Sequence, residues 1–154
     1  METDNVKTYR FTGVAYEDIL MGQAVEVRYD ATRTTLGARP LVQLAQADDT
    51  ATTVGQLKAE HNTYIGVAMA DAAEGETIEI RCWNAGTLSG RVALTADIYA
   101  GQVMRWDGDY FIPCPGGEED TFTCVNIRPI SNVTGLNEGL CELYPMLGGR
   151  YYLA

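Results

Sequence analysis

Short runs of alternating apolar and polar residues, each following a turn sequence, cover most of the chain. The run 24–29, for example, places Val25, Val27 and Tyr29 on one face of a strand. No sustained period of 3.6 residues accompanies these runs, and 56–61 supports one helical turn at most. The pattern therefore predicts an all-β protein of short strands with little helix.

A local motif recurs three times, in which an Asp is followed four residues later by a Gly and then by a strand-like run. A Gly at that place supplies a turn position with positive φ at no steric cost, and the Asp can accept hydrogen bonds from nearby backbone amides. Each copy is therefore interpreted as a turn that begins a strand. The copies are unequally spaced, which favours one compact unit over a stacked solenoid. They are Asp18 to Gly22, Asp71 to Gly75, and Asp97 to Gly101.

Further strands are predicted between these turns. The pair Asp107-Gly108 predicts a tight type I′ hairpin between the runs 102–106 and 109–112. Two apolar pieces near the end, 140–144 and 150–153, are expected to add edge strands or to pack on a neighbouring molecule. The remaining predicted strands are 40–45, 64–69, 77–83, 91–94 and 121–125.

The same pattern predicts three parts along the chain. Residues 1–13 are polar until Tyr9, Arg10 and Phe11, and they are interpreted as an extended N-terminal arm. Residues 14–113 hold the well-patterned strands and are expected to form the core domain. Residues 114–154 are less patterned and are expected to form an extension that packs on the core or on a neighbouring subunit.

Composition and charge narrow the classes of partner. The chain has 154 residues, 46% of them hydrophobic, which is enough to bury a core. Its net charge of −10, with no cluster among eleven Lys and Arg, argues against binding nucleic acid. The chain lacks an apolar run that could span a bilayer and a signal-peptide pattern at Met1, so synthesis in the cytoplasm without membrane insertion is expected.

Candidate reactive groups are few. The one histidine, His61, stands beside no nucleophile motif, and neither a phosphate-binding loop nor a dinucleotide fingerprint occurs. The cysteines at 82, 114, 124 and 141 lack the close spacing of a zinc site. Free thiols are expected in a reducing cytosol; Cys114 and Cys124 are the first pair to test if the protein oxidises.

Acidic and aromatic residues leave a second interpretation open. The carboxylates of Asp107, Asp109 and the run 118–120 suggest a hydrolase or a calcium site, although turn formation explains them equally and their spacing does not match a calcium loop. Trp83 and Trp106 suit either a sugar site or a core. The sequon at Asn132 carries no weight without a secretory signal. No catalytic, cofactor or metal residue is predicted.

The turns and strands together resemble the compact β-clip folds. More specifically, the stretch from Tyr64 to Ile112, with its Asp71 and Asp97 turns, resembles the head decoration, or cement, proteins of tailed bacteriophages, and the run 25–29 extends the resemblance to roughly residues 14–113. The tail from Cys114 onward has no counterpart in the smallest members of that family.

The resemblance implies a function without catalysis or cofactor. Members bind the outer surface of the phage head as homotrimers and stabilise the capsid lattice, so the implied partners are the major capsid protein, the other two subunits and neighbouring trimers. The arm residues Tyr9, Arg10 and Phe11 are the expected capsid contacts. Two alternatives stay open: a β-clip module or enzyme directed at carbohydrate, and a head-fibre or tail component of the same virion.

Overall fold

The computed structural model describes residues 10–28, 30, 32, 37–45, 64–82, 86–113, 123–131 and 137–145. All regular secondary structure in these ranges is β-strand, which confirms the predicted all-β class. The ten strands are β1 (Arg10–Ala15), β2 (Ala24–Arg28), β3 (Leu41–Leu44), β4 (Tyr64–Ala68), β5 (Thr77–Cys82), β6 (Leu88–Ala93), β7 (Val103–Trp106), β8 (Phe111–Pro113), β9 (Thr123–Asn126) and β10 (Glu138–Pro145).

The strands form two closed five-stranded barrels of the same topology. In the first, β1 pairs with β3 in parallel and with β5 antiparallel, while β2 pairs with β3 and β4, and β4 pairs with β5. In the second, β6 pairs with β8 in parallel and with β10 antiparallel, while β7 pairs with β8 and β9, and β9 pairs with β10. The second barrel therefore repeats the first strand for strand.

Both ends of the described chain are arranged differently from the expected division into arm, core and extension. Arg10 to Gly13, expected in the arm, lie in β1 and pair with β5 along its length. The segment expected as an extension supplies β9 and β10, without which the second barrel would not close. The run 140–144 lies in β10, which pairs on both sides and is not an edge strand. Residues 1–9, 114–122, 132–136 and 146–154 lie outside the described residues.

Alternation along the strands produces two hydrophobic cores. The core of the first barrel contains Val25, Val42, Ile78 and Ile80, all at most 2% exposed. The core of the second barrel contains residues of both barrels, because Ala24, Ala45 and Val67 of the first pack with the side chains of β6 to β10. The residues that the second barrel contributes include Leu88, Val92, Met104, Trp106, Phe111 and Leu143. The two barrels consequently share apolar packing.

The predicted hairpin forms, but with a longer turn. Trp106 pairs with Phe111, so Asp107 to Tyr110 make a four-residue loop. A type I′ turn needs positive φ at both central residues, and in this loop only Gly108 has it. The Asp107 carboxylate accepts hydrogen bonds from the amides of Asp109 and Tyr110, at 2.8 and 2.7 Å, and these bonds hold the wider loop. The type I′ prediction was therefore wrong.

Candidate binding surfaces

The first two copies of the turn motif lie side by side and cap each other. The Asp18 carboxylate accepts a hydrogen bond from the amide of Glu74 at 2.9 Å, and the Asp71 carboxylate accepts one from the amide of Met21 at 2.8 Å. Between them, Ile19 and Ala72 exchange two backbone hydrogen bonds of 2.8 Å. The motif is therefore a structural device that joins the two turns of one barrel.

The third copy occupies the same place in the second barrel. Gly22, Gly75 and Gly101 have φ between 83° and 86°, as the motif requires. Ile98 exchanges backbone hydrogen bonds with Ile130, as Ile19 does with Ala72. The residue before Ile130 is Pro129, whereas Asp71 precedes Ala72, so the fourth turn has no Asp at that position.

The expected arm contacts are divided by the start of β1. Arg10 is exposed at the first position of the strand, and Phe11 is half-buried against the core of the first barrel. Tyr9 lies outside the described residues. Phe11 is consequently part of a barrel wall, which limits the arm to residues that precede β1.

Direct hydrogen bonds fix the two barrels against each other. The carbonyl oxygen of Gly22 accepts a bond of 2.8 Å from the Arg91 amide, and the Trp106 indole donates one of 2.8 Å to the carbonyl of Ala45. The Gln23 side chain donates to the carbonyl of Asp109 at 3.2 Å. Together with the shared core, these bonds join both barrels into one body.

A cluster of three polar side chains lies beside this junction, and we call it the junction cluster. The Glu138 carboxylate accepts hydrogen bonds from the Tyr110 hydroxyl and from the Arg91 guanidinium, and Arg91 also donates to the carbonyl of Met21 at 3.3 Å. The bonds to Glu138 lower the pKa of its carboxyl group, the Tyr110 bond contributing most. The pKa of Tyr110 is raised by its bond to Glu138 and then by burial.

A cleft of about 630 Å³ opens between the barrels, and we call it the inter-barrel cleft. Met21, Val67, Ala68, Met69 and Arg81 of the first barrel line one part of it. The second barrel contributes three segments, 87–89, 128–130 and 140–142. Its apolar lining residues include Val67, Met69, Leu88, Ile130 and Leu140.

Three charged side chains line the inter-barrel cleft. Each barrel supplies one guanidinium, Arg81 from β5 and Arg128 from the segment after β9, while Glu142 of β10 supplies the carboxylate. Arg128 pairs with Glu142 through its Nε atom at 2.5 Å, and its side chain is 76% exposed. The charged side chains that line the cleft are therefore two guanidinium groups and one carboxylate, and Arg128 and Glu142 form an ion pair.

Both barrels carry exposed large hydrophobic side chains. Among the residues that the structure describes, Tyr99 is the most exposed of these, at 61%, and it occupies the motif position that Leu20 holds in the first barrel. The Tyr16 ring lies 4.0 Å from the guanidinium carbon of Arg28, in a cation–π arrangement. Val27, Ile127, Leu140 and Tyr144 are the other exposed positions in the described ranges. Exposed hydrophobic residues are ordinary on protein surfaces, so exposure alone defines no site.

The structure describes some of the residues that the sequence suggested for catalysis or ligand binding. Trp106 is 2% exposed, which places it in the core and not in an open sugar site. Cys82 and Cys141 carry free thiols, and burial raises the pKa of Cys141 to about 11. Trp83, His61, Cys114, the acids at 118–120 and Asn132 lie outside the described residues.

The described residues contain neither a candidate metal site nor a candidate membrane-spanning helix. No group of three or more His, Cys, Asp or Glu in the described ranges could hold a metal ion. No helix long and apolar enough to cross a membrane occurs in the same part of the chain.

The inter-barrel cleft and the junction cluster were not predicted from the sequence. Their residues come from distant parts of the chain. The pairing of the two barrels brings Arg81 near Glu142, and the fold of the second barrel brings Tyr110 near Glu138. The one local signal was the alternation in β10, which places Leu140, Glu142 and Tyr144 on the same face. That alternation indicates a strand with both apolar and charged side chains on one face. It does not indicate which strands or side chains lie beside it.

Comparison with known proteins gives a structural match only. No protein-family model matches the chain, and no curated protein matches it either. Among the solved structures that match, the chain is similar to the N base of the head fibre gp8.5 of bacteriophage phi29. The TM-score is 0.55 and the identity 14%, over 92% of this chain and 96% of the other. This likeness shows a shared fold over nearly the full length of both chains.

Proposed function

We propose that this chain is a structural protein of a phage head, which binds the outer capsid surface as a homotrimer and stabilises the capsid lattice without catalysis. The observation that carries the proposal is the fold that the chain shares with the base of a phage head fibre, over 92% of its own length. The resemblance of the turn motifs to head decoration proteins supports the same assignment.

The joined barrels suit a bracing function. A protein that holds two capsid subunits in place must transmit force between its contacts, and a body with two independent barrels would bend instead. Shared packing through Ala24, Ala45 and Val67 and the bond from Trp106 to Ala45 oppose such bending. Close-packed interiors transmit strain because they deform little.

The affinity for the capsid would come from several subunits that bind matching sites at the same time. Contacts that are weak singly become strong when three subunits engage matching sites on one lattice, because binding of the first raises the effective concentration of the others. A protein that binds only the assembled lattice stabilises it by mass action. We propose that residues 1–9, which precede β1, add a contact with the major capsid protein, and that neighbouring trimers also touch.

A second candidate function is the base of a head fibre, and the similar phi29 structure favours it directly, since that protein is itself a head-fibre base. In that case the chain would anchor an elongated fibre to the capsid. The two functions differ in what lies above the barrels. An imaging reconstruction of the virion would show a low knob for a decoration protein and a projecting shaft for a fibre base.

The proposal is tested with the purified chain and capsid shells of the virus that encodes it. We expect sedimentation at about three times the chain mass of 16.8 kDa, co-sedimentation with the shells, and a higher temperature of shell disruption when the chain is bound. A monomer that binds no shell and turns over a small molecule would contradict the proposal and favour the carbohydrate-directed module.

The contribution of the arm is tested by deleting residues 2–8, which leaves β1 whole. We expect a trimer of unchanged thermal stability that co-sediments less with the shells. The control is a variant in which residues 2–8 are replaced by a Gly/Ser segment of equal length. Unchanged shell binding by both variants would remove the arm from the proposal.

A further inference from the structure

Strand registers show which surface of the first barrel meets the second barrel. Val67 of β4 pairs with Ala24 of β2 on one side and with Arg81 of β5 on the other, so the three residues form one row across three strands. Ala24 and Val67 are at most 2% exposed, and they pack into the core of the second barrel. This row of the first barrel is therefore an interface.

The row packs on the second barrel beside Leu88, at the start of β6, and Trp106, at the end of β7. Leu88 lines the inter-barrel cleft together with Val67, and the Trp106 indole donates its hydrogen bond to the carbonyl of Ala45, next to β3. Leu88 and Trp106 are both at most 2% exposed. The internal interface therefore has two parts, a row on the first barrel and an apolar end on the second.

The second barrel carries an equivalent row, which we call the β9 row. Its strands β7, β9 and β10 correspond to β2, β4 and β5, and Val125 pairs with Val103 on one side and with Tyr144 on the other. Val103 and Val125 are half-buried, and Tyr144 is 49% exposed. The apolar positions that are buried in the row of the first barrel are consequently accessible in the β9 row.

The first barrel carries the equivalent of the apolar end. Phe11 precedes Gly13 by two residues, as Leu88 precedes Gly90, and the two glycines pair with the equivalent strands β5 and β10. A Cβ atom at either glycine would lie within 3 Å of a side chain, in β3 for one and in β8 for the other, which are again equivalent strands. Phe11 therefore occupies the position of Leu88.

Val27 completes this end, which we call the Phe11–Val27 end. It is the fifth residue after Gly22, as Trp106 is the fifth after Gly101, and both lie on the core side of their strands. Val27 is 42% exposed and Phe11 is half-buried. The end of the first barrel is therefore accessible where its counterpart on the second barrel is buried.

One contact of the internal interface has no equivalent. The Arg91 amide donates to the Gly22 carbonyl of the other barrel, whereas the matching amide of Val14 donates to the Pro40 carbonyl of its own barrel, at 2.9 Å. The β9 row could therefore meet the Phe11–Val27 end only by apolar packing, without this hydrogen bond. Such a contact is weaker than the internal one, as expected for a contact between separate chains.

We propose that copies of this chain assemble head to tail, with the β9 row of one copy covering the Phe11–Val27 end of the next. The chain itself indicates the occupant, because its first barrel already covers the second through the equivalent surfaces. Stacked repeats normally end in polar faces, whereas both ends of this pair of barrels keep apolar side chains at the contact positions.

The symmetry of the assembly follows from the kind of contact. A contact between two different surfaces produces a ring when the rotation between copies closes, and a filament when it does not. The inference rests on the homotrimer of the proposed function and names the surfaces that form it. Three copies then place six barrels in one ring.

The first experiment measures assembly of the full chain by analytical ultracentrifugation. Tyr144→Asp places a charge in the β9 row, and Val27→Asp places one in the Phe11–Val27 end. Each should raise the concentration of half-assembly at least about tenfold, because a buried unpaired charge opposes association. Tyr99→Asp, at an exposed aromatic residue outside both surfaces, should leave it unchanged. Unchanged assembly of both surface variants would overturn the inference.

A mixture of the two variants distinguishes a head-to-tail contact from a symmetric one. In the mixture, the intact β9 row of the Val27→Asp copy can meet the intact end of the Tyr144→Asp copy. We expect an average mass above that of either variant alone and at most about twice the chain mass of 16.8 kDa, because the ring cannot close. A mixture that associates no more than its components would contradict the contact.

Photo-cross-linking tests the same contact without a destabilising charge. A benzoylphenylalanine in place of Tyr144 keeps an aromatic side chain at this exposed position. When labelled and unlabelled chains are mixed, we expect mass spectrometry to find cross-links from position 144 to peptides of 10–28 in another copy. Cross-links only to the second barrel of another copy, or none between copies, would overturn the inference.

Capsid shells separate this inference from the proposed function. If wild type binds shells as a trimer and both surface variants remain trimeric, the inference fails and the proposed function stands. If wild type assembles through the two surfaces but binds no shell, the proposed function fails and the inference stands. Variants that remain trimeric but lose shell binding would assign these surfaces to the capsid protein, against the inference.

Discussion

Gly22 meets two constraints at once. Its φ of 85° is a conformation that residues with a Cβ atom adopt at a cost of about 1–2 kcal/mol. A Cβ atom at this position would also lie 2.8 Å from the Arg91 amide nitrogen and 2.7 Å from the Leu140 side chain. The amide cannot retreat without lengthening its bond to the Gly22 carbonyl, on which the contact between the barrels depends.

We therefore expect Gly22→Ala to lower the free energy of unfolding by about 3 kcal/mol or more, the sum of strain and overpacking. Urea titration measures this loss. Gly75 and Gly101 are matched controls, because they have nearly the same φ but open space around the position of a Cβ atom. Gly75→Ala and Gly101→Ala should each cost only about 1–2 kcal/mol. Equal losses in all three variants would show that the clash with the second barrel is unimportant.

The junction cluster predicts a dependence of stability on pH. The folded state lowers the pKa of Glu138 below its usual 4.5, so the stabilisation is complete above pH 4.5 and disappears as the pH falls through the lowered pKa. It raises the pKa of Tyr110 above its usual 10.0, so that contribution is complete below pH 10 and disappears as the pH rises through the raised pKa. Arg91 and Asp109 are the other charged groups nearby.

The measurement compares wild type with Glu138→Gln in urea titrations from pH 3 to pH 11. We expect wild type to be more stable by at most about 1 kcal/mol between pH 5 and pH 9, since the Glu138 side chain is 36% exposed. The difference should narrow at both extremes. A constant difference across the whole range would mean that the charge of Glu138 does not contribute.

At the scale of elements, β1 decides where the arm ends. Thr12 and Phe11 pair with β5, and Phe11 packs against the core of the first barrel. A deletion of residues 2–12 would therefore remove half of a strand that closes the barrel. We expect that variant to unfold at a temperature at least about 10 °C lower than wild type, whereas the deletion of residues 2–8 should leave the melting temperature unchanged. Equal melting temperatures would place β1 outside the cooperative fold.

The local residue pattern predicted the positions of strands better than it predicted which strands pair with one another. The alternation in β2, β4 and β5 and the motif glycines identified strands and turns, because side-chain direction and φ are set by adjacent residues. The role of β1 was not predicted, because Gly13 interrupts the alternation of its residues and the residues before it are polar. The turn between β7 and β8 was misjudged because the Asp107 side chain bonds to two amides of a longer loop, a choice that the Asp-Gly pair alone does not reveal.

At the scale of the whole molecule, the two barrels repeat one topology, and the sequence showed only part of this. The motif at Asp18 and the motif at Asp97 begin equivalent connections, from β1 to β2 and from β6 to β7, whereas the one at Asp71 belongs to the other turn of the first barrel. The copies are unequally spaced for this reason. The fourth turn was not predicted because Pro129 occupies the position at which the motif has an Asp. The inter-barrel cleft could not be predicted, because it depends on how the barrels meet.

The shared core predicts that both barrels unfold together. Trp106 of β7 is 2% exposed and donates its indole hydrogen to Ala45, in the first barrel, so its loss would affect both. Trp106→Phe leaves a buried carbonyl without its donor and a partly empty cavity, and we expect a loss of about 1–3 kcal/mol in the free energy of unfolding. Tyr99→Phe, at an exposed aromatic residue, should change it by less than about 0.5 kcal/mol.

Hydrogen exchange measured by mass spectrometry distinguishes a joint from an independent response. Peptides from 10–28 report on the first barrel and peptides from 103–113 on the second. If the barrels are one cooperative unit, Trp106→Phe should accelerate exchange by the same factor in both sets, because each opens only with the whole molecule. Faster exchange confined to 103–113 would show that the second barrel opens alone. The first barrel would then be a separate unit, and a chain that flexes at the junction could not brace a lattice as proposed.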